Sequence, residues 1–447
     1  MRCAIRILTA LVLAGCSSLP ATAPLAPDHR NAAVAESRTI VPMEADAFVD
    51  SLGVNTHLLY DLSRPSNRQI FIQRMRQLGI RHVRDGIFPG QTAAQNAVER
   101  EFFSRTHTDM LALIDCPKPL GYFPGAQTPP PVVRKFDNDV GGAVAALEGP
   151  NEPDLRRVKK WVSLTRSCIA GDDRHQALPV PFVASAMGYP TSAPRLGNIA
   201  ALVDIGGIHR YFSGNNPGTR GFWKMTSCGW WEGMATDVCF ARINAGSAAP
   251  LWITETGYST DGQSTSGYDA VLDQTAFAKY ESRVLFVDSI AGIARTYLYE
   301  FQDDGTDATN SENGYGLLRY DGSPKPAFSA VANIVALLND PGPSFTPSPL
   351  RFSIERPDSS IRYEAFEKRD GTFTIALWNE VSSWDVATGT GITVPAVSVR
   401  LSFSSAPRGV QYRALDDSGA LRARSVTTSG SSVTVPVDDH VAFLTFE

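Results

Sequence analysis

The chain has 447 residues, more than one hydrophobic core of roughly 250 to 300 residues accommodates, so a large domain with a smaller companion is the expected division. Hydrophobic residues make up 43% and charged residues 19%, an ordinary globular composition with ample material for a core. The formal net charge is −5 and no Lys/Arg run interleaves with aromatics, which argues against nucleic acid as a partner.

Arg2 and Arg6 give the chain a basic start, and residues 7–14 form an apolar run too short to span a bilayer, the pattern of an export signal. The run ends in LAGC, residues 13–16, which resembles a bacterial lipoprotein signal. That resemblance implies cleavage before Cys16, a lipid on that cysteine and, with Ser17 behind it, the outer membrane, the protein facing the periplasm or the outside. An ordinary signal peptide cut nearer Ala21 is the alternative. On the lipoprotein reading, residues 1–15 are signal and 16–45, whose first part is rich in Ala, Pro and Ser, are a flexible tether. Export also permits disulfides. Of six cysteines, Cys3 leaves with the signal and Cys16 takes the lipid. Cys228 and Cys239, inside one loop-like segment, are the expected pair; Cys116 and Cys168, in different elements, either pair or stay as buried thiols.

From about residue 46 to 338, short apolar strands alternate with helical patterns, the signature of βα units and a parallel sheet. The strands read SLGVNTH, IRHVRDG, MLALIDC, AALEGPN, PFVASA, VDIGGIH, PLWITET and RTYLYEF. Between them, RQIFIQRMRQLG places Ile70, Ile72, Met75 and Leu78 near helical spacing, and PKPAFSAVANIVALLND opens with proline in its first turn. Eight such repeats predict an α/β fold, a (β/α)₈ TIM barrel; no Gly-rich phosphate loop follows any strand, which disfavours an open doubly wound sheet. A Pro-rich linker at 339–350 leads to residues 351–447, where IRYEAFE, TFTIALW, VSVRLSF, SVTVPV and VAFLTFE alternate with a period of two. These predict a small antiparallel β-sandwich, with Asp370-Gly371 turning the first hairpin.

In barrels of this kind chemistry sits at the C-terminal strand ends. Glu152 follows the fourth predicted strand in LEGPNEPD, and Glu255 ends the seventh in LWITETGY. Two carboxylates at one barrel mouth are what glycosidic cleavage needs: one protonates the leaving oxygen, and the other attacks the anomeric carbon or activates water. Facing each other from strands four and seven they are expected about 5 Å apart, the separation of a retaining enzyme. Glu148, four residues before Glu152, either pairs with an arginine inside the barrel or adds a second polar group to the site.

Asn151-Glu152-Pro153, Thr254-Glu255-Thr256-Gly257 and the ending RYDGSPKPAFSAVANIVALL together resemble glycoside hydrolase clan A, the (β/α)₈ enzymes that include cellulase and β-xylosidase families. The resemblance spans about residues 48–337 and implies Glu152 as acid/base and Glu255 as nucleophile. Asn151 is then the residue that binds the hydroxyl beside the reacting carbon. His209 and Tyr211, in GIHRYF, look like the pair that lines the clan's site, the tyrosine bonding the nucleophile; a core histidine is the alternative for His209. Arg84 resembles the arginine that steadies the nucleophile, and would otherwise pair with Asp85 or Asp115 as barrel structure. Asn55 and His57 at strand one, and Glu300 and Gln302 at strand eight, are positioned to touch sugar or to cap strand ends.

The sequence departs from the clan at strand eight, where many members place a tryptophan and this chain reads YEFQDD. Phe301 is one substitute. Another is the loop after strand six, where Trp223, Trp230 and Trp231 offer aromatic faces that a Cys228–Cys239 bridge pins, unless they bury themselves on the barrel. The expectation is thus a retaining glycoside hydrolase acting on a β-linked poly- or oligosaccharide, without cofactor or metal, and tied to the membrane only through Cys16. A glycan-binding lipoprotein that has lost catalysis is the rival from another class. A metal-dependent hydrolase is disfavoured because the seven histidines are scattered and neither H-x-H nor HExxH occurs.

Overall fold

The computed structural model describes residues 34–115, 128–156, 158–172, 177–262, 270–356 and 359–447. Cys16, its signal and Cys116 lie outside these residues. The centre of the molecule is an eight-stranded parallel sheet. Its strands are β1 (Leu52–Asn55), β2 (His82–Gly86), β3 (Asp109–Leu113), β4 (Val144–Glu148), β5 (Phe182–Val183), β6 (Gly206–Tyr211), β7 (Leu251–Gly257) and β8 (Arg295–Leu298). Spatial order runs β5-β4-β3-β2-β1-β8-β7-β6, and a parallel bridge from Val183 to Ile205 brings the two edges together as a barrel. The edges meet closely because Gly207 has no side chain: a Cβ there would lie 2.2 Å from the Ala184 carbonyl oxygen.

All eight strands overlap the stretches expected from the sequence, and β3, β4, β6 and β7 run one or two residues past them. Each reads as a mostly apolar run because its two faces are both covered, one by the barrel interior and the other by helices. Leu111, Ala146, Val183, Ile205 and Tyr297 fill the interior. The helices that follow successive strands are α1 (Pro65–Leu78), α2 (Ala93–Thr106), α3 (Pro130–Val140), α4 (Trp161–Asp172), α5 (Ala193–Leu196), α6 (Met234–Ala245), α7 (Gln274–Ile290) and α8 (Pro326–Leu338). Their ends are chemically marked. Thr92 and Gln95 form a capping box on α2, the Asp273 side chain caps α7, and Gly79 ends α1 at φ 75°.

The C-terminal region packs two antiparallel-rich sheets around Phe352, Ile354, Leu377, Val399, Leu401, Tyr412, Val435 and Leu444. Ile361–Glu367 and Phe373–Asn379 pair antiparallel, with Gly371 at φ 85° in the turn between them. In the described residues, 34–45, the expected tether is structured. Val34–Ile40 pairs antiparallel with Leu350–Arg356 as an edge strand of one sheet, and Met43–Glu44 pairs parallel with Ile361–Glu367 in the other. The Ala/Pro-rich composition ends before residue 34, and Val34–Ile40 takes the free edge of the sheet.

Barrel and sandwich share one apolar seam. Phe286 of α7 stacks on Phe48 at 5.0 Å and meets Trp378, Phe366 and Phe443 of the sandwich between 5.6 and 6.1 Å. Buried Arg283, one turn earlier, donates to the carbonyls of Asn379 (3.0 Å) and Val381 (2.8 Å) and to Ser383 Oγ (3.0 Å), which gives the seam a directional polar lock.

Candidate active site

The C-terminal ends of the strands open into a cleft of about 870 Å³. Strand register decides what meets there. Asn55 and Arg84 are neighbours on β1 and β2, and His209 and Glu255 are neighbours on β6 and β7. Arg84 is buried and sits at the hub. It ion-pairs with Glu148 through Nε. Nη1 donates to Asn55 Oδ1 (2.9 Å) and Glu255 Oε1 (2.7 Å), and Nη2 to Asn151 Oδ1 (2.8 Å). Nη2 also lies 3.5 Å from His209 Nε2. Glu148 accepts a second hydrogen bond from Thr254 Oγ1 at 2.8 Å. It is therefore the partner of an arginine inside the barrel, and Arg84 pairs with it rather than with Asp85, which accepts from Thr56 (2.9 Å) and the Leu58 N–H (2.7 Å).

Glu255 receives Arg84 on one oxygen and Tyr211 on the other, the phenol donating at 2.9 Å. Burial alone pushes its carboxyl up, but the charges of His209 and Arg84 and the hydrogen bonds from Tyr211 and Arg84 outweigh it and hold the group below its usual range. Burial and the adjacent Glu255 charge push the Tyr211 phenol well above its ordinary value, so it stays a donor. Glu152 stands at φ 41°, a left-handed backbone that costs a non-glycine residue about 1–2 kcal/mol. Its Oε1 lies 2.9 Å from His209 Nδ1, which is also 3.4 Å from Glu255 Oε2. His209 thus stands between the two carboxylates. Burial lowers its pKa, but the charge of Glu255 and the hydrogen bond to Glu152 raise it above the ordinary imidazole value. A ligand atom from each of Glu152, His209 and Glu255 falls within 4.8 Å of the others.

The remaining expected residues divide. Asn55 lines the cleft, but its amide is engaged inside the barrel, donating to the carbonyls of Thr254 (3.0 Å) and Leu298 (3.2 Å). His57 lines the cleft with Nδ1 2.9 Å from Asp304 and 3.1 Å from Glu300. Burial lowers its pKa, but those carboxylates outweigh it and raise the imidazole well above its ordinary value. Glu300 is 1% exposed beneath His57 and does not line the cleft. Gln302 is buried with Asn67 and the carbonyl of Tyr320. Both histidine–carboxylate groups have the donor types of a cation site, although an imidazole held in its protonated form competes with a metal for the same nitrogen.

The aromatic surroundings differ most from expectation. Phe301 is buried with its ring 4.7 Å from Phe71, away from the cleft, and Tyr299 lines the site instead. Tyr299 and Tyr315 meet Tyr211 edge-on at 6.4 and 5.8 Å. Trp230 and Trp231 lie on a two-stranded ribbon, Phe222–Met225 with Trp230–Trp231, which the Cys228–Cys239 disulfide fastens to α6. Neither ring lines the cleft: Trp230 faces solvent, and Trp231 is 4% exposed with Nε1 donating to Glu232 Oε1 at 2.8 Å. The Trp223 side chain lies outside the described set. Cys168 is also disulfide-bonded. Tyr189, Arg156, Asp304 and Glu232 line the cleft without having been singled out from the sequence. Tyr299 alone carried a usable signal, since it continues the inward parity of Tyr297 on β8.

No family model and no curated protein sequence matches the chain. Solved structures do. A family 39 glycoside hydrolase from the gut symbiont Bacteroides cellulosilyticus WH2 is 18% identical with a TM-score of 0.58, over 91% of this chain and 83% of its own. A GH39 enzyme from Xanthomonas axonopodis pv. citri is 13% identical with a TM-score of 0.58, over 95% and 99%. A monomeric β-xylosidase from Caulobacter crescentus CB15 is 13% identical with a TM-score of 0.57, over 92% and 98%. The chain shares the two-domain fold of these glycoside hydrolases, a parallel barrel with an antiparallel β-domain.

Proposed function

We propose that the protein is a retaining glycoside hydrolase that cleaves a β-linked poly- or oligosaccharide by double displacement. The observation that carries this reading is the pairing of Glu152 and Glu255 across the barrel mouth, with oxygens of both within 4.8 Å of each other and of His209. That spacing is nearer the roughly 5–5.5 Å of retaining enzymes than the about 6.5–9.5 Å of inverting ones. Glu255, kept ionised, attacks the anomeric carbon while Glu152 gives its proton to the leaving oxygen. Glu152 then takes a proton from water, which displaces Glu255 from the same carbon. Asn151, with its oxygen on Arg84, keeps its amide N–H₂ for a sugar hydroxyl, and His57 presents a charged ring to the same cleft.

Glu152→Gln is expected to lower turnover of an oligosaccharide by about 10²–10⁴-fold, and Glu255→Gln to remove it, with the fold intact by circular dichroism. Near-wild-type activity of either variant would overturn that residue's role. A polysaccharide panel with NMR detection of the first-formed anomer tests substrate and stereochemistry together, and an inverted product defeats the double displacement. The lipid on Cys16 is proposed from the signal pattern alone. A Cys16→Ala protein that still fractionates with outer membranes removes it.

A further inference from the structure

The loop that carries Glu152 is tied to a neighbour that the chemistry above does not use. Two residues after Glu152, Asp154 accepts the Gly188 N–H on one carboxylate oxygen and the Tyr189 N–H on the other, each at 3.0 Å. Gly188 lets the loops touch directly, since a Cβ there would meet the Leu155 side chain at 2.5 Å. Tyr189 follows β5, lines the cleft and leaves 45% of its surface exposed, while its ring lies 6.1 Å from buried Trp231. Leu155 and Pro190 continue the same apolar wall. An aromatic ring that is braced on one side and open to a cleft on the other is built to receive an apolar face, and the C–H face of a pyranose is one.

Position says which sugar. The proton from Glu152 goes to the glycosidic oxygen, so the sugar bonded to that oxygen after cleavage lies on the Glu152 side of the cut, with the Glu255-bound sugar on the other. We propose that Tyr189, flanked by Leu155 and Pro190, is the platform for the leaving sugar ring, and that Asp154 is a positioning residue fixing this platform to the acid/base loop. The proposal rests on the glycosidase reading and narrows it. The natural leaving group is itself a sugar, and the platform contributes to breaking that bond.

The test compares two leaving groups on the sugar that the polysaccharide panel identifies: the β-linked oligosaccharide, and the glycosyl fluoride, whose leaving fluoride needs neither an acid nor a platform. Tyr189→Ala and Asp154→Asn are each expected to lower kcat/KM on the oligosaccharide about tenfold or more while changing the fluoride less than about twofold, and Tyr189→Phe, which keeps the ring face, is expected to stay near wild type on both. Equal losses on oligosaccharide and fluoride would show a general structural effect, and no loss on the oligosaccharide would remove the platform; either result overturns the proposal. A wild-type protein that hydrolyses neither substrate overturns the glycosidase reading beneath it.

Discussion

Replacing Arg84 by methionine keeps an unbranched aliphatic stem and removes every donor at the hub of the cleft. The guanidinium is buried and serves two carboxylates, Glu148 and Glu255, and two amides, Asn55 and Asn151. Breaking one buried ion pair by deleting a partner costs about 3–5 kcal/mol, and each lost neutral hydrogen bond about 1 kcal/mol. The carboxylates relieve part of this by taking up protons, so the expected loss is about 3–5 kcal/mol rather than the sum, a large share of a typical stability of about 5–15 kcal/mol. The sign with pH follows from Glu255, whose carboxyl the folded protein holds below 4.5. A depressed carboxyl contributes stability that is present above its unfolded pKa and is lost as pH falls through the folded value. The gap between wild type and Arg84→Met is therefore widest near pH 7 and narrows below pH 4.5. The acidic limb of kcat/KM moves up, because burial then acts on Glu255 with less to oppose it. Urea unfolding at pH 7 and pH 4, with a pH–rate profile, measures both. A loss under about 1 kcal/mol at pH 7, or an acidic limb that does not move, refutes the role of Arg84 as the group that holds the two carboxylates.

Tyr211→Phe removes one hydrogen bond to the charged Glu255, about 1.5–3 kcal/mol, and is expected to raise the acidic limb by about one to two pH units and to lower the stability measured in urea at pH 7 by a similar free energy. An unmoved limb means the phenol does not tune the nucleophile. Replacing Cys228 and Cys239 together by serine opens the loop of 11 residues between the ribbon and α6 and is expected to cost about 2–3 kcal/mol in urea unfolding; with both proteins under reducing conditions, which also open the Cys168 disulfide in each, wild type and variant should coincide, and a gap that persists between them refutes the assignment. Phe286→Ala empties the centre of the barrel–sandwich seam and is expected to cost about 3–5 kcal/mol, so that calorimetry resolves two transitions; a single transition at an unchanged temperature refutes the seam as the coupling element.

The barrel was legible because each of its strands is covered on both faces and therefore appears as a short apolar run, and because Gly and Pro punctuate the spaces between the runs. The sandwich was legible for the opposite reason: strands with one wet face alternate, as IRYEAFE does. What the sequence hid was the pairing of Val34–Ile40 with Leu350–Arg356, at the far end of the chain. Seven residues with apolar ends and a polar middle, behind an Ala/Pro-rich stretch, are compatible with an edge strand or a tether, and only the unpaired edge of a sheet built from the C-terminal region decides between them.

The site divides along the same physical line. Residues at strand ends are placed by sheet register, which a count of strands fixes, so the meeting of Arg84, Glu152, His209, Tyr211 and Glu255 around one cleft could be read before any coordinates. Strand parity places one residue more. Tyr297 faces into the barrel, so Tyr299 follows it toward the mouth, and Glu300 turns away to lie under His57. The tryptophans of the ribbon have the right chemistry for stacking on sugar, but Trp230 faces solvent and Trp231 is buried, so neither meets the cleft. Tyr189, the exposed aromatic at the acid/base loop, sits in a loop with no periodicity, and its position is set by an aspartate 35 residues earlier in the chain. Loop residues are fixed by such single long-range hydrogen bonds, whose partners no local pattern names. The sequence therefore locates the carboxylates that cleave the bond more readily than the surface that selects what is cleaved.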